Sequence, residues 1–303
     1  MAEKKRVSVE AKTPKSKPGK GGRPSGSAPS GQTWEASPEA KSTALKLRIV
    51  AGVLWVVAIA LEVFTIVWAL VPDKEFDTAR IWTVIGLIIG IGVITLIGSF
   101  LWKKANKLDP ASEKDTFRFF VQNQLGVIMT VLAFLPLIVL ILMDKNLDGK
   151  QKGILGGIAA VVAIAVGIAS ADFDPPSVEK YTGDQNIITL LHNGDPDATV
   201  YWTKSGSVYH VCDTVPAVNK ESSDNTIYDG TIDAAQEAGK ERLTKQWKSE
   251  ARTCGFTEED IIRVEQGLAA NPSTLVDPEE AAQQTGEGEQ STPARESEPA
   301  PVG

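Results

Sequence analysis

Cysteine is nearly absent from this chain: Cys212 and Cys254 are the only two in 303 residues. Two thiols exclude a disulfide framework and leave one bridge, available only where that region meets an oxidising compartment. Catalytic signatures are missing as well. No glycine-rich phosphate loop follows a strand, and neither a nucleophile elbow nor a metalloprotease helix occurs. His210 and Cys212, two residues apart on a strand, point the same way without an orienting third group. The expectation is a protein that is not an enzyme and carries no cofactor.

Each end of the chain also has little of one sign of charge relative to the other. Up to Arg48 eleven Lys and Arg face four acids, whereas from Asp172 onward ten basic residues face twenty-five acidic ones. The acidic half repels phosphate, which excludes nucleic acid as its partner. Between these ends the apolar residues gather, and the charges there fall almost wholly in the connections between apolar runs.

Four runs in this middle part read as spanning helices: 49–71, 81–102, 119–143 and 153–171. At about 1.5 Å per residue the first reaches about 34 Å, against a hydrocarbon core of about 30 Å. Trp82 and Trp102 sit near the two ends of the second, where indoles favour headgroup level. A polar tail of nearly fifty residues before the first run argues against a cleaved signal peptide. Lys and Arg are heavier in the amino tail and in the loop holding Lys103, Lys104, Lys107, Lys114 and Arg118. That places both termini in the cytoplasm, with the two thiols reduced.

Within the spans, small residues recur at four-residue intervals: Gly86 with Gly90, and Ala159, Ala163, Gly167 and Ala171. Such stripes let helix backbones approach, inside the bundle or in a homo-oligomer. Glu62 is the one ionisable residue deep in a span. It reads either as a proton or cation relay or as a structural acid that stays protonated and donates to Thr130 or to the Leu132 carbonyl, which Pro136 frees. No second station lies at its depth, which favours the structural role.

The stretch DKNLDGKQKG, residues 144–153, places Asp144, Asn146, Asp148 and Gly149 on calcium-loop spacing. Leu155 occupies the position of the bidentate acid, so a tight turn between two helices is the stronger expectation.

After the spans, two prolines in ADFDPPSVEKY predict an extended exit. Runs 198–203 and 207–211, joined by Lys204-Ser205-Gly206, predict a β-hairpin. Thr231 caps a short helix ending at Gly239, and a second helix is expected over 243–252. From about Asn271 the composition cannot support a core.

VYWTKSGSVYHVC followed by GTIDAAQEAGK resembles small bacterial zinc modules, in which a Tyr-His strand end, a Cys and a later Cys-x-x-Cys hold one metal. The resemblance implies His210, Cys212 and Cys254 as ligands, with His192 a distant fourth. Tetrahedral zinc needs four, and the later cysteine pair is missing, so a metal-free module packed on Trp202, Tyr209 and Trp247 is expected. The membrane part, in LDPASEKDTFRFFVQNQLGVI, MDKNLDGKQKGILGGIA and ADFDPPSVEKY, is similar to a family of bacterial four-helix membrane proteins without an assigned activity, and the resemblance implies a bacterial plasma membrane.

The expected architecture is therefore a membrane all-α bundle over 46–171 followed by a small α+β soluble domain over 172–270, between disordered ends at 1–45 and 271–303. The expected function is a membrane scaffold or sensor, in contact with the lipid bilayer, whose cytoplasmic module binds a protein partner. A small transporter using Glu62, or a metal-binding sensor, is the alternative.

Overall fold

A computed structural model describes residues 4–10, 33–70, 77–220 and 224–269. The expected acidic tail over 271–303 lies outside the described residues. A strand, β1 (Lys5–Val9), comes first. Four long helices follow: α1 (Pro38–Thr65), extended by a π-helical segment over Ile66–Leu70, α2 (Thr78–Leu108), α3 (Thr116–Met143) and α4 (Gly149–Ser170). Each begins at an oxygen-bearing cap: Ser37, Asp77, Asp115 and Asp148 each accept a first-turn amide, satisfying one of the donors that a helix start leaves open.

The helices are apolar on every side. Val56, Phe64, Phe100, Leu135, Val161 and Ile168 face outward, an arrangement that suits lipid and not water. All four are long and apolar enough to cross a membrane, and the chain is a multi-pass membrane protein. The spans outrun the apolar stretches that announced them, because their polar ends continue the same helical hydrogen bonding.

Lipid provides no hydrophobic drive between helices, so close packing must hold them. The interior is filled by Ile88, Ile91, Phe134, Leu137, Ile141 and Leu155. A Cβ at Gly92 would stand 2.7 Å from Val162 Cγ1, and one at Gly98 would stand 2.8 Å from Trp55 Nε1. At Gly126 it would stand 2.9 Å from Ser99 Oγ. Gly86, Gly90 and Gly167, which the four-residue stripes marked for packing, have nothing within 4 Å of such an atom. Spacing alone does not distinguish a glycine facing a neighbour from one facing outward.

The soluble module comprises α5 (Val178–Leu191), β2 (Val200–Trp202), β3 (Val208–Tyr209), α6 (Pro216–Asn219), β4 (Thr226–Gly230), α7 (Ile232–Glu237), β5 (Arg242–Leu243), α8 (Trp247–Thr253) and α9 (Glu258–Ala269). The hairpin is present in reduced form, through the paired backbones of Tyr201 and His210. Thr231 caps α7, and Gly239 follows it with φ +85. The helix expected over 243–252 starts only at Trp247, because Arg242 and Leu243 pair with β3. Instead of an extended exit, Ser177 caps α5 directly after the prolines. Trp202, Tyr209 and Trp247 share one core with Ile188, Leu191 and Val264.

The amino end, expected to be unstructured through residue 45, returns to this module. β1 pairs in parallel with β4, whose other edge carries β2 antiparallel. Trp34 packs edge-on against Tyr181 at 4.8 Å, and Arg48 is 2.7 Å from Asp109. Both ends of the described chain therefore lie at the same end of the bundle, as an even number of crossings requires.

Candidate functional site

Glu62 is buried where α1 meets α3, 3% exposed. Its Oε1 accepts from the Leu137 amide at 3.3 Å, the residue after Pro136. The hydroxyl of Thr130 donates instead to the Gly126 carbonyl, at 2.8 Å. Neither expected partner, Thr130 nor the Leu132 carbonyl, is the one bonded to Glu62 Oε1, which accepts a backbone proton further along α3. That hydrogen bond braces α3 at its proline.

Toward the end of the bundle that carries the termini, polar side chains line the contact of α2, α3 and α4. Asn106 Nδ2 donates to the Gln122 carbonyl at 2.9 Å, Trp102 Nε1 to the same oxygen at 2.7 Å, and Ser99 Oγ to the Thr95 carbonyl at 3.0 Å. Four deeply buried atoms there have no protein partner: Thr95 Oγ1, Asn106 Oδ1, Asn123 Nδ2 and Ser170 Oγ. Such atoms are usually hydrated. Along α2 and α3 the side chains of Ile88, Ile91 and Phe134 follow before the level of Glu62 is reached, so the polar file and the buried acid are separated by an apolar layer. The spacing of Thr95, Ser99 and Asn106 on one helical face was the legible signal of this file.

In the module, Cys212 and Cys254 form a disulfide with the sulfurs 2.00 Å apart. This corrects the expectation of reduced thiols, and it withdraws both as zinc ligands, since only a thiolate coordinates. His210 Nδ1 lies 2.7 Å from Glu250 Oε1, and the other oxygen of Glu250 accepts from the Val211 amide at 3.3 Å. Glu250 stands forty residues from His210, with no local signal to join them. His192 lies against the ring of Phe256, away from this pair. Among the described residues, no group of three or more His, Cys, Asp and Glu could hold a metal.

The 144–148 turn uses one carboxylate oxygen of Asp144 and one of Asp148 on its own backbone, while Asp144 Oδ2 is buried without a protein partner. Asp144 Oδ1 accepts from the Asn146 amide at 2.7 Å, and Asp148 forms a capping box with Gln151 at the start of α4. Those bonds explain the residues' spacing without an ion.

The remaining built feature is the edge of β4. Five residues of β1 pair with it, from Lys5 opposite Thr226 to Val9 opposite Gly230. Lys4 Nζ donates to the Val218 carbonyl at 2.8 Å and to that of Lys220, and Arg6 pairs with Asp213. A Cβ at Gly230 would lie 2.4 Å from the Val9 carbonyl oxygen, so glycine is what allows the strand to seat. Behind this edge, Lys240 is buried and donates to the carbonyls of Thr203, Lys204 and Gly206. Desolvation lowers its pKa, and the three carbonyls use its protons to hold the hairpin turn.

This fold defines a helical multi-pass membrane protein with a small α+β module that accepts a strand from the far end of its own chain. No family model, curated protein or solved structure matches it.

Proposed function

We propose that this protein is a non-enzymatic membrane scaffold or sensor whose module binds a protein partner as an extended basic segment along β4. The supporting observation is β1 itself. A segment from the opposite end of the chain is held there by backbone pairing, by basic side chains and by a glycine that makes room for it. Main-chain pairing gives affinity to such strand addition, and the flanking side chains give selectivity. In the resting chain the amino tail fills the place that a partner's strand takes.

A peptide of residues 4–10 is expected to bind a truncated chain lacking residues 1–10. It should bind intact chain roughly tenfold or more weakly, because a tethered strand competes at about millimolar effective concentration. Fluorescence anisotropy of the labelled peptide measures both, and Gly230→Val should abolish binding. Equal binding to truncated and intact chains would dispose of the strand-acceptor reading.

We further infer that the face shared by the termini is cytoplasmic, from the weight of Lys and Arg on it. The Cys212–Cys254 bond pulls the other way, since such bonds persist in oxidising compartments. A cysteine placed at exposed Lys114, on that face, decides between them. It should resist an impermeant maleimide on intact cells and react after permeabilisation; labelling of intact cells would place the face outside. The basic tail on this side also suits anionic lipid.

A further inference from the structure

Cys212 leads directly into the segment that holds β1. Asp213, the next residue, pairs with Arg6, and the carbonyls of Val218 and Lys220 receive the Lys4 ammonium. Beneath this strap, residues 213–220, Val215 and Val218 are buried against Ile227 of β4, with Cys212 and Cys254 packed beside them. Ile227 lies opposite Arg6 in the β1–β4 register. The Cys212–Cys254 bond therefore ties the strap that receives Lys4 and Arg6 to the end of α8.

A second rung lies beside the first. Glu250 holds His210 Nδ1 at 2.7 Å and the Val211 amide at 3.3 Å, two residues before Cys212 and four before Cys254. His210 and Glu250 are buried, whereas both cysteines are half-buried and meet solvent. Reduction cuts one rung and leaves the other. Two thiols need more room than two bonded sulfurs, so Cys212 and Cys254 part. α8 stays, because Trp247 and Ala251 lie in the module's core and Glu250 keeps its bonds. The strap is the side that gives: Thr214, Pro216, Ala217, Asn219 and Lys220 are exposed along it, and Asn219 Nδ2 bonds the strap's own carbonyls.

We propose that Cys212 and Cys254 form a redox sensor that sets how tightly β4 holds a basic strand, an inference that rests on the strand-acceptor reading and gives it a control. Bonded, the pair fixes the strap against β4; reduced, it loosens the groups that receive Lys4 and Arg6. Disulfides in reducing compartments are mostly transient, serving catalysis or redox sensing, which suits the cytoplasmic face inferred above. In the exchange, a thiolate of a dithiol reductant attacks Cys254 Sγ, the sulfur–sulfur bond breaks, and Cys212 leaves as a thiolate that takes a proton. The reductant's second thiolate then displaces Cys254, which is protonated in turn, and the reductant ends as its own disulfide. Two electrons have passed to the protein. The Thr214 hydroxyl donates to Cys212 Sγ at 2.9 Å, which favours Cys212 as the leaving group. The His210–Glu250 rung keeps the two thiols near each other, so the bond can form again.

Amide hydrogen exchange on full-length protein in detergent tests this. Dithiothreitol should speed exchange at residues 5–9 about tenfold or more, through loss of the charged contacts that seat the strand, and leave α5 and α9 unchanged. Oxidised glutathione should restore the protection. The Cys212→Ser/Cys254→Ser variant should exchange at the reduced rate with or without dithiol. Should that variant fail to fold, reduced wild-type protein carries the test, its two thiols counted with a maleimide. The proposal is overturned if dithiothreitol leaves the bond intact, or if both thiols appear and residues 5–9 exchange as before. It is equally overturned if α5 and α9 lose protection together with β1, which would make the bond a staple for the whole module. The peptide of residues 4–10 separates the two readings. Binding to the oxidised truncated chain that survives reduction defeats the sensor alone, whereas equal binding to truncated and intact oxidised chains defeats the reading beneath it.

Discussion

A lysine in place of Glu62 is expected to remove most correctly assembled protein from the membrane, while Glu62→Gln assembles at near wild-type yield. The carboxyl oxygen accepts from the Leu137 amide at 3.3 Å, and a glutamine oxygen can accept the same proton. Lysine can only donate. It would face that amide donor with an ammonium group near the middle of the apolar run 49–71, where a charged residue costs about 2.5–3.5 kcal/mol on insertion scales. The nearest interior residues, Ala58, Phe134 and Leu137, offer no compensating acid. Size-exclusion profiles of detergent-extracted variants would measure the difference. Misassembly of the glutamine variant would mean that the carboxyl group itself is required, and loss of proton flux from Glu62→Gln liposomes would restore the relay reading.

The second large effect is expected at the junction. Tyr181→Ala should split thermal unfolding into separate transitions for bundle and module, with the module's contacts weakened by ~3–5 kcal/mol, as for other buried aromatic truncations. Tyr181 is fully buried, packs edge-on against Trp34 at 4.8 Å, and donates its hydroxyl proton to the Lys107 carbonyl at 2.9 Å. Burial, then the charges of Asp184, Glu241 and Asp172, push the phenol far above its ordinary range, so it remains a donor at alkaline pH. Tyr181→Phe keeps the ring and loses one hydrogen bond, about 1 kcal/mol, and should preserve a single transition. Differential scanning calorimetry distinguishes the two variants. A single unshifted transition for Tyr181→Ala would mean that Lys107–Glu241 and the Trp34–Asp233 bond hold the junction without it.

The four crossings were legible because uncharged apolar runs of that length have one stable environment. Their limits were not, since Thr78 and Leu108 belong to the same helix as the apolar stretch between them and nothing apolar marks those ends. In the module, Thr231 and Gly239 announced α7 by local chemistry. α9 was missed although Ile261, Val264 and Leu268 repeat along one face, and α5 was hidden behind two prolines that turned out to precede its cap. What local reading could not reach is what distant segments do together. Glu250 finds His210, Cys254 finds Cys212, and the tail finds β4 only once the intervening chain has folded.

That last pairing orders the birth of the molecule. The nitrogen of Lys4 and the carbonyl that receives it, on Val218, are 214 residues apart, so the opening strand leaves the ribosome long before its berth exists. It must wait through four insertions into the bilayer, still tethered and still adhesive. Anything fused ahead of it travels with it to that berth.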